Sequence, residues 1–70
     1  MNVAVTGPTG HVGGNLVRAL IARGDSVRAL VYQDGPALAG LEVEKVQGNV
    51  LDPDSLRRAF QDADVVYHLA

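Results

Sequence analysis

The stretch Val3-Ala4-Val5-Thr6-Gly7-Pro8-Thr9-Gly10-His11-Val12-Gly13 decides how the rest of the chain is read. Val3-Ala4-Val5 favours an extended strand. It breaks off in Thr6-Gly7-Pro8-Thr9-Gly10, a cluster of turn formers that neither a strand nor a helix interior tolerates. From His11 to Arg23 the apolar period changes: Val12, Leu16 and Leu20 recur every four residues, with Val17 and Ile21 beside them. That spacing predicts an amphipathic helix of about three to four turns. Gly24 follows the last periodic residue and suits the left-handed position after a helix end. The local order is strand, glycine turn, helix.

Working outward, Ser26 to Tyr32 is rich in β-branched and apolar residues and closes in Asp34-Gly35-Pro36, which predicts a second strand. Pro36 to Gly40 is weakly patterned, as either a short helix or a loop. Val43 to Val46 reads as a short third strand before Gly48. Asp52-Pro53-Asp54 starts a second helix: Asp52 can accept from orphan backbone N–H groups, Pro53 suits the first helical position, and Asp54 favours the positive end of the dipole. Leu56, Ala59 and Phe60 are its expected buried face. Val65 to Ala70 is a nearly continuous apolar run of the kind found in a parallel strand covered on both faces. Strands separated by helical segments predict an α/β fold, a Rossmann-like doubly wound parallel sheet. Only its N-terminal half is expected, with strand order 3-2-1-4.

Seventy residues allow one domain at most, and residues 1–70 read as part of one. The chain has no cysteine, so a disulfide framework and a thiolate metal site are excluded; no metal ligands are expected. A net charge of −2 and six Lys plus Arg, scattered singly apart from Arg57-Arg58, give no basic stripe for nucleic acid. The N-terminus lacks a signal-peptide pattern and no run is long enough for a membrane span. The expectation is a cytoplasmic protein without a nucleic-acid or membrane partner.

Gly7, Gly10 and Gly13 form a G-x-x-G-x-x-G motif between the first strand and the first helix. It differs from the commoner G-x-G-x-x-G, but the physical demands are the same. A tight turn off the strand needs positive φ, assigned to Gly7. Close approach of a pyrophosphate needs backbone without Cβ, assigned to Gly10. A helix lying flush on a sheet needs a small contact residue, assigned to Gly13. The pyrophosphate then rests on the helix N-terminus, and Thr9 can cap that helix or bond a phosphate. No Gly-Lys-Ser/Thr follows, which excludes a Walker-type loop. His11 is expected to be exposed, and His68 to be a hydrogen-bonded structural residue.

These residues carry a family resemblance. Val5 to Gly13, Gly48-Asn49-Val50-Leu51-Asp52 and Val65-Val66-Tyr67-His68-Leu69-Ala70 together resemble the N-terminal part of the extended and atypical short-chain dehydrogenase/reductases, nearest the NAD-dependent epimerase/dehydratase and dihydroflavonol-reductase-like group. The resemblance implies a dinucleotide site in which Gly7, Gly10, His11, Val12 and Gly13 face the pyrophosphate. It places Tyr32 at the end of the second strand, Asn49 and Val50 at the adenine, and Leu69 and Ala70 at the end of the last strand. Asn49 stands where the family has an Asp; an amide keeps hydrogen-bonding capacity but loses the charge, and an ordinary turn role after Gly48 competes. Asp34 lies about twenty residues past the motif, near the separation of a ribose-binding acid, yet beside Gly35 an Asx turn competes. The cofactor is NAD or NADP.

The resemblance further implies catalysis by a Tyr-x-x-x-Lys pair. Neither Tyr32 nor Tyr67 has a Lys four residues on, and Lys45 is the only Lys, so no catalytic residue is expected in these 70 residues. The parent protein is expected to be an oxidoreductase or epimerase acting on a carbonyl or sugar-type small-molecule substrate. A non-catalytic NAD(P)-sensing regulator and a truncated remnant without function are the alternatives. A sheet ending on its last strand leaves an open edge, so self-association through that strand is expected.

Overall fold

The computed structural model describes residues 1–7, 11–32 and 38–69, the side chain of His11 excepted. Its elements in chain order are β1 (Asn2–Thr6), α1 (His11–Ala22), β2 (Ser26–Val31), β3 (Val43–Gln47), α2 (Pro53–Phe60) and β4 (Val65–His68). The four strands form one sheet in the order β3-β2-β1-β4. Every pairing is parallel, with Val3 opposite both Val27 and Val65. The expected doubly wound half-sheet is therefore the observed one.

Alternation along the strands divides the sheet into two faces. Val3, Val5, Val27, Ala29 and Val31 join Val17 and Leu20 of α1 in the main core. The intervening residues face α2: Leu30 lies over Gly48 and Ser55, and Arg28 reaches the last turn of α2. α1 and α2 thus cover opposite faces, and the switch between them falls between β1 and β4.

The stripe on α1 differs from its sequence reading at the first turn. Val17 and Leu20 are buried, but Val12 is 71% exposed. At 100° per residue the sheet-facing row behind Val17 runs back to Gly13 and Gly14, both of which are buried. The helix therefore approaches the sheet through two residues without side chains, and Val12 is displaced to the open rim. The other end of α1 is closed as expected. Gly24 takes φ 93°, its N–H donates to the Ile21 carbonyl at 2.9 Å, and the Asp25 N–H donates to Leu20 at 3.1 Å, which together make a Schellman motif.

Leu38, in the segment between β2 and β3 for which the sequence left helix and loop open, is fully buried in the α1-side core. β4 lies at the end of the sheet order. It is an edge strand with alternating exposure; Tyr67 packs against the α1-side core whereas Val66 on the other face is 42% exposed. α2 lies over β2 and β3 rather than over β4.

α2 begins where the Asp-Pro-Asp pattern predicts. Asp52 is its N-cap and accepts from the Asp54 N–H at 3.2 Å, with Pro53 in the first turn. The Ser55 hydroxyl donates to the second Asp52 oxygen at 3.0 Å. At the other end Arg28 Nη1 donates to the Gln61 carbonyl at 2.6 Å while its Nε pairs with Glu44 at 2.8 Å. One strand side chain thereby caps a helix across the sheet. Arg57 pairs with Asp54 on the exposed helix face, as a solvated residue should. Arg58 differs: it donates to the Gln47 carbonyl at 3.2 Å and ties α2 to β3.

The Ser55 hydroxyl and the Asp54 N–H hold the Asp52 carboxyl below its ordinary 3.8. A depressed native value stabilises the fold above the unfolded value and loses that contribution as the pH falls through the native one. The difference in melting temperature between the native sequence and Asp52→Asn should therefore be constant near neutrality and shrink below about pH 4. A gap unchanged down to about pH 2 would contradict the assignment.

Candidate functional site

Because all four strands are parallel, their carboxyl ends and the loops that follow lie along one edge. In doubly wound sheets ligands bind outside that edge, at the point where successive connections leave to opposite faces. Here that point lies between β1 and β4. Gly7 leaves β1 with φ 68°, a left-handed conformation that admits glycine freely, and four residues on α1 begins at His11. The first turn of α1 thus opens beside the β1 terminus, with its orphan N–H groups and positive dipole end there.

β1 and β4 are joined at this edge. Thr6, fully buried, shares a hydrogen bond with His68 through Oγ1 and Nδ1, 2.5 Å apart, and the Leu69 N–H donates to the Thr6 carbonyl at 3.0 Å. His68 is the hydrogen-bonded residue expected of it. Its partner is absent from the sequence reading, because register between strands sixty residues apart is not encoded locally.

The β3–α2 loop is held by its own polar groups. The Asn49 N–H donates to Ser55 Oγ at 3.2 Å, and Asn49 Oδ1 accepts from the Leu51 N–H at 2.9 Å. Asn49 thus takes the turn role that competed with an adenine role, its side chain closing an Asx turn. Gly48 is a packing residue that sequence reading missed: a Cβ there would lie 2.6 Å from Ser55 Cβ and 3.3 Å from Leu30 Cδ1.

Of the site residues expected from sequence, Gly7, Val12, Tyr32, Asn49, Val50 and Leu69 are brought to this one edge, with Gly13 buried beneath the first turn of α1. Thr9, Gly10, Ala70 and the side chain of His11 lie outside the described residues, as do Gln33 and Asp34. Large apolar side chains left in water concentrate on the same edge: Val12, Tyr32 at 67%, Leu51 at 85% and Leu69. Apolar side chains gathered at one edge are a suitable lining for a flat organic ligand. A helix start and an apolar rim at one edge suit a ligand with both a diphosphate and an aromatic ring. Among the described residues no cluster of His, Asp or Glu could hold a metal ion, and no helix is long and apolar enough to cross a membrane.

A parallel sheet in the order β3-β2-β1-β4, with a left-handed Gly7 leaving β1 ahead of α1, is the first half of a Rossmann fold of the extended short-chain dehydrogenase/reductase and NAD-dependent epimerase group. The model of the NmrA-like family matches residues 1–70, and the chain belongs to that family. It is 49% identical over 72 residues to sterol demethylase protein B of Methylococcus capsulatus, covering all of this chain and 22% of that protein. To ceramide reductase of Caulobacter vibrioides it is 44% identical over 70 residues, covering 97% and 22%. Among solved structures, a short-chain dehydrogenase/reductase superfamily protein from Agrobacterium tumefaciens with bound NAD superposes with a TM-score of 0.84 at 33% identity, covering 100% of this chain and 20% of that one. The chain spans about a fifth of the length of these relatives.

Proposed function

We propose that the carboxyl edge of this sheet holds the adenosine-diphosphate half of a nicotinamide dinucleotide, and that the full-length protein is an oxidoreductase or epimerase acting on a carbonyl or sugar-type carbon of a small molecule. The observation that carries the reading is the meeting, at the β1–β4 switch, of a left-handed Gly7, the opening turn of α1 and an exposed apolar rim. The diphosphate is received by backbone amides of Gly10 to Gly13 and by Thr9. Tyr32 borders the adenosine ribose, Val50 and the Asn49 amide border the adenine, and Leu69 and Ala70 lead toward the nicotinamide. When bound, the cofactor supplies or accepts a hydride; this segment's part is to bind and orient it.

The NAD-bound relative and the reductase relative support the reading. No Tyr-x-x-x-Lys pair occurs in the 70 residues, so acid–base chemistry belongs to chain outside them. Titration of the full-length protein with NADH and NADPH, followed by nicotinamide fluorescence, should show saturable binding that ADP displaces. Absence of a signal change with either nucleotide at saturating concentration would sink the proposal. Saturable binding that ADP cannot displace would place the adenosine elsewhere.

A further inference from the structure

We infer, on the basis of the cofactor reading above, that this site discriminates against a 2′-phosphate, so that the full-length protein takes NAD(H) in preference to NADP(H). In doubly wound sheets the adenosine ribose lies at the end of the second strand, where an acid bonds a 2′-hydroxyl or an arginine accommodates a 2′-phosphate. A phosphate monoester carries about −1.5 to −2 charges at neutral pH and needs cations or several donors to replace its water.

The loops at the carboxyl edge supply no such cation. Residues 7–14 after β1, 32–42 after β2 and 48–52 after β3 contain no Lys or Arg. The six cations of the chain all lie on helices or strands or at the amino edge. Arg23 pairs with Asp25 at the amino edge, Arg28 is spent on Glu44 and the end of α2, and Arg57 pairs with Asp54. Arg18 lies midway along α1 and Lys45 midway along β3. Arg58 lies on α2, where its guanidinium is held against the Gln47 carbonyl and Ser55 Oγ.

The end of β2 presents Tyr32 instead. Its side chain is exposed and its carbonyl accepts from Gln47 Nε2 at 3.3 Å, which fixes the strand end facing the ribose. A phenol can cover a ribose and hydrogen-bond a hydroxyl, but it brings no charge to a phosphate. The two phosphate positions thus differ: the bridging diphosphate is met by a helix N-terminus, and a 2′-phosphate at the β2 end is met by a neutral ring.

The test is a pair of titrations of the full-length protein with NADH and NADPH, repeated on Tyr32→Arg. The native protein should bind NADH at least roughly tenfold more tightly, and Tyr32→Arg should reduce that ratio by roughly ten- to hundredfold, as a charge-assisted contact to the phosphate would. Equal or tighter binding of NADPH by the native protein overturns this inference while leaving the cofactor site intact. A ratio unmoved by Tyr32→Arg overturns it too, since selection would then not operate at the β2 end. Failure of both nucleotides to bind overturns the cofactor reading itself.

Discussion

Gly10→Val in the full-length protein should lower affinity for NAD(H) by roughly a hundredfold or more while the far-UV circular dichroism of the folded protein is retained. Gly10 immediately precedes His11, the first residue of α1, so in the proposed site a side chain added at position 10 competes with a diphosphate for the first-turn amides. Two methyl groups at that point hold the diphosphate away from donors whose charge-assisted hydrogen bonds contribute about 1.5–3 kcal/mol each. Losing two such bonds is enough for the expected loss. Gly10→Ala, with one carbon in place of three, should fall between. Native affinity in Gly10→Val would mean that the diphosphate, if bound at all, does not use this helix.

Gly48→Ala carries the largest expected effect on stability. Gly48 does not have positive φ, so backbone strain is not the cause; the space is. The added Cβ would meet Ser55 Cβ at 2.6 Å, and Ser55 is 1% exposed. Its side chain is held by Asn49, Asp52 and Arg58. The clash is with the β-carbon itself, so rotating the hydroxyl cannot relieve it and α2 must lift off the end of β3. Overpacking of this kind costs about 1–3 kcal/mol, or roughly 2–4 °C of melting temperature per kcal/mol in a protein of ordinary domain size. Ser55→Ala should not rescue Gly48→Ala, because it keeps the β-carbon. Full rescue, or a melting temperature within a degree or so of native for Gly48→Ala alone, would show that the two elements are not in this contact.

What the sequence made legible was local. The strand-to-glycine-to-helix stretch, the Asp52-Pro53 start of α2 and the Gly24 stop of α1 are each specified by residues within a few positions of one another, and each stands where the pattern placed it. Parallel order followed from alternating elements, because the connections admit few other topologies.

What stayed hidden depends on partners distant in sequence. The burial of Leu38 depends on a core assembled from β1, β2 and α1. The Thr6–His68 bond and the clasp of Arg28 on α2 span sixty-two and about thirty residues. Val12 was read as part of an apolar stripe because its spacing fits. Its exposure follows from Gly13 and Gly14 bringing the helix start so close to the sheet that the sheet-facing positions need no side chain. For the candidate site, sequence supplied the residue types, and topology gathered residues from four separate loops onto one edge.

The most direct measurement is a crystal structure of the full-length protein grown with saturating NAD. The account predicts density for a diphosphate within hydrogen-bond distance of backbone N–H groups in residues 10–13, with adenine beside Val50 and a ribose against Tyr32. Density for the nucleotide at another edge of the sheet, or a bare α1 terminus under those conditions, would contradict it.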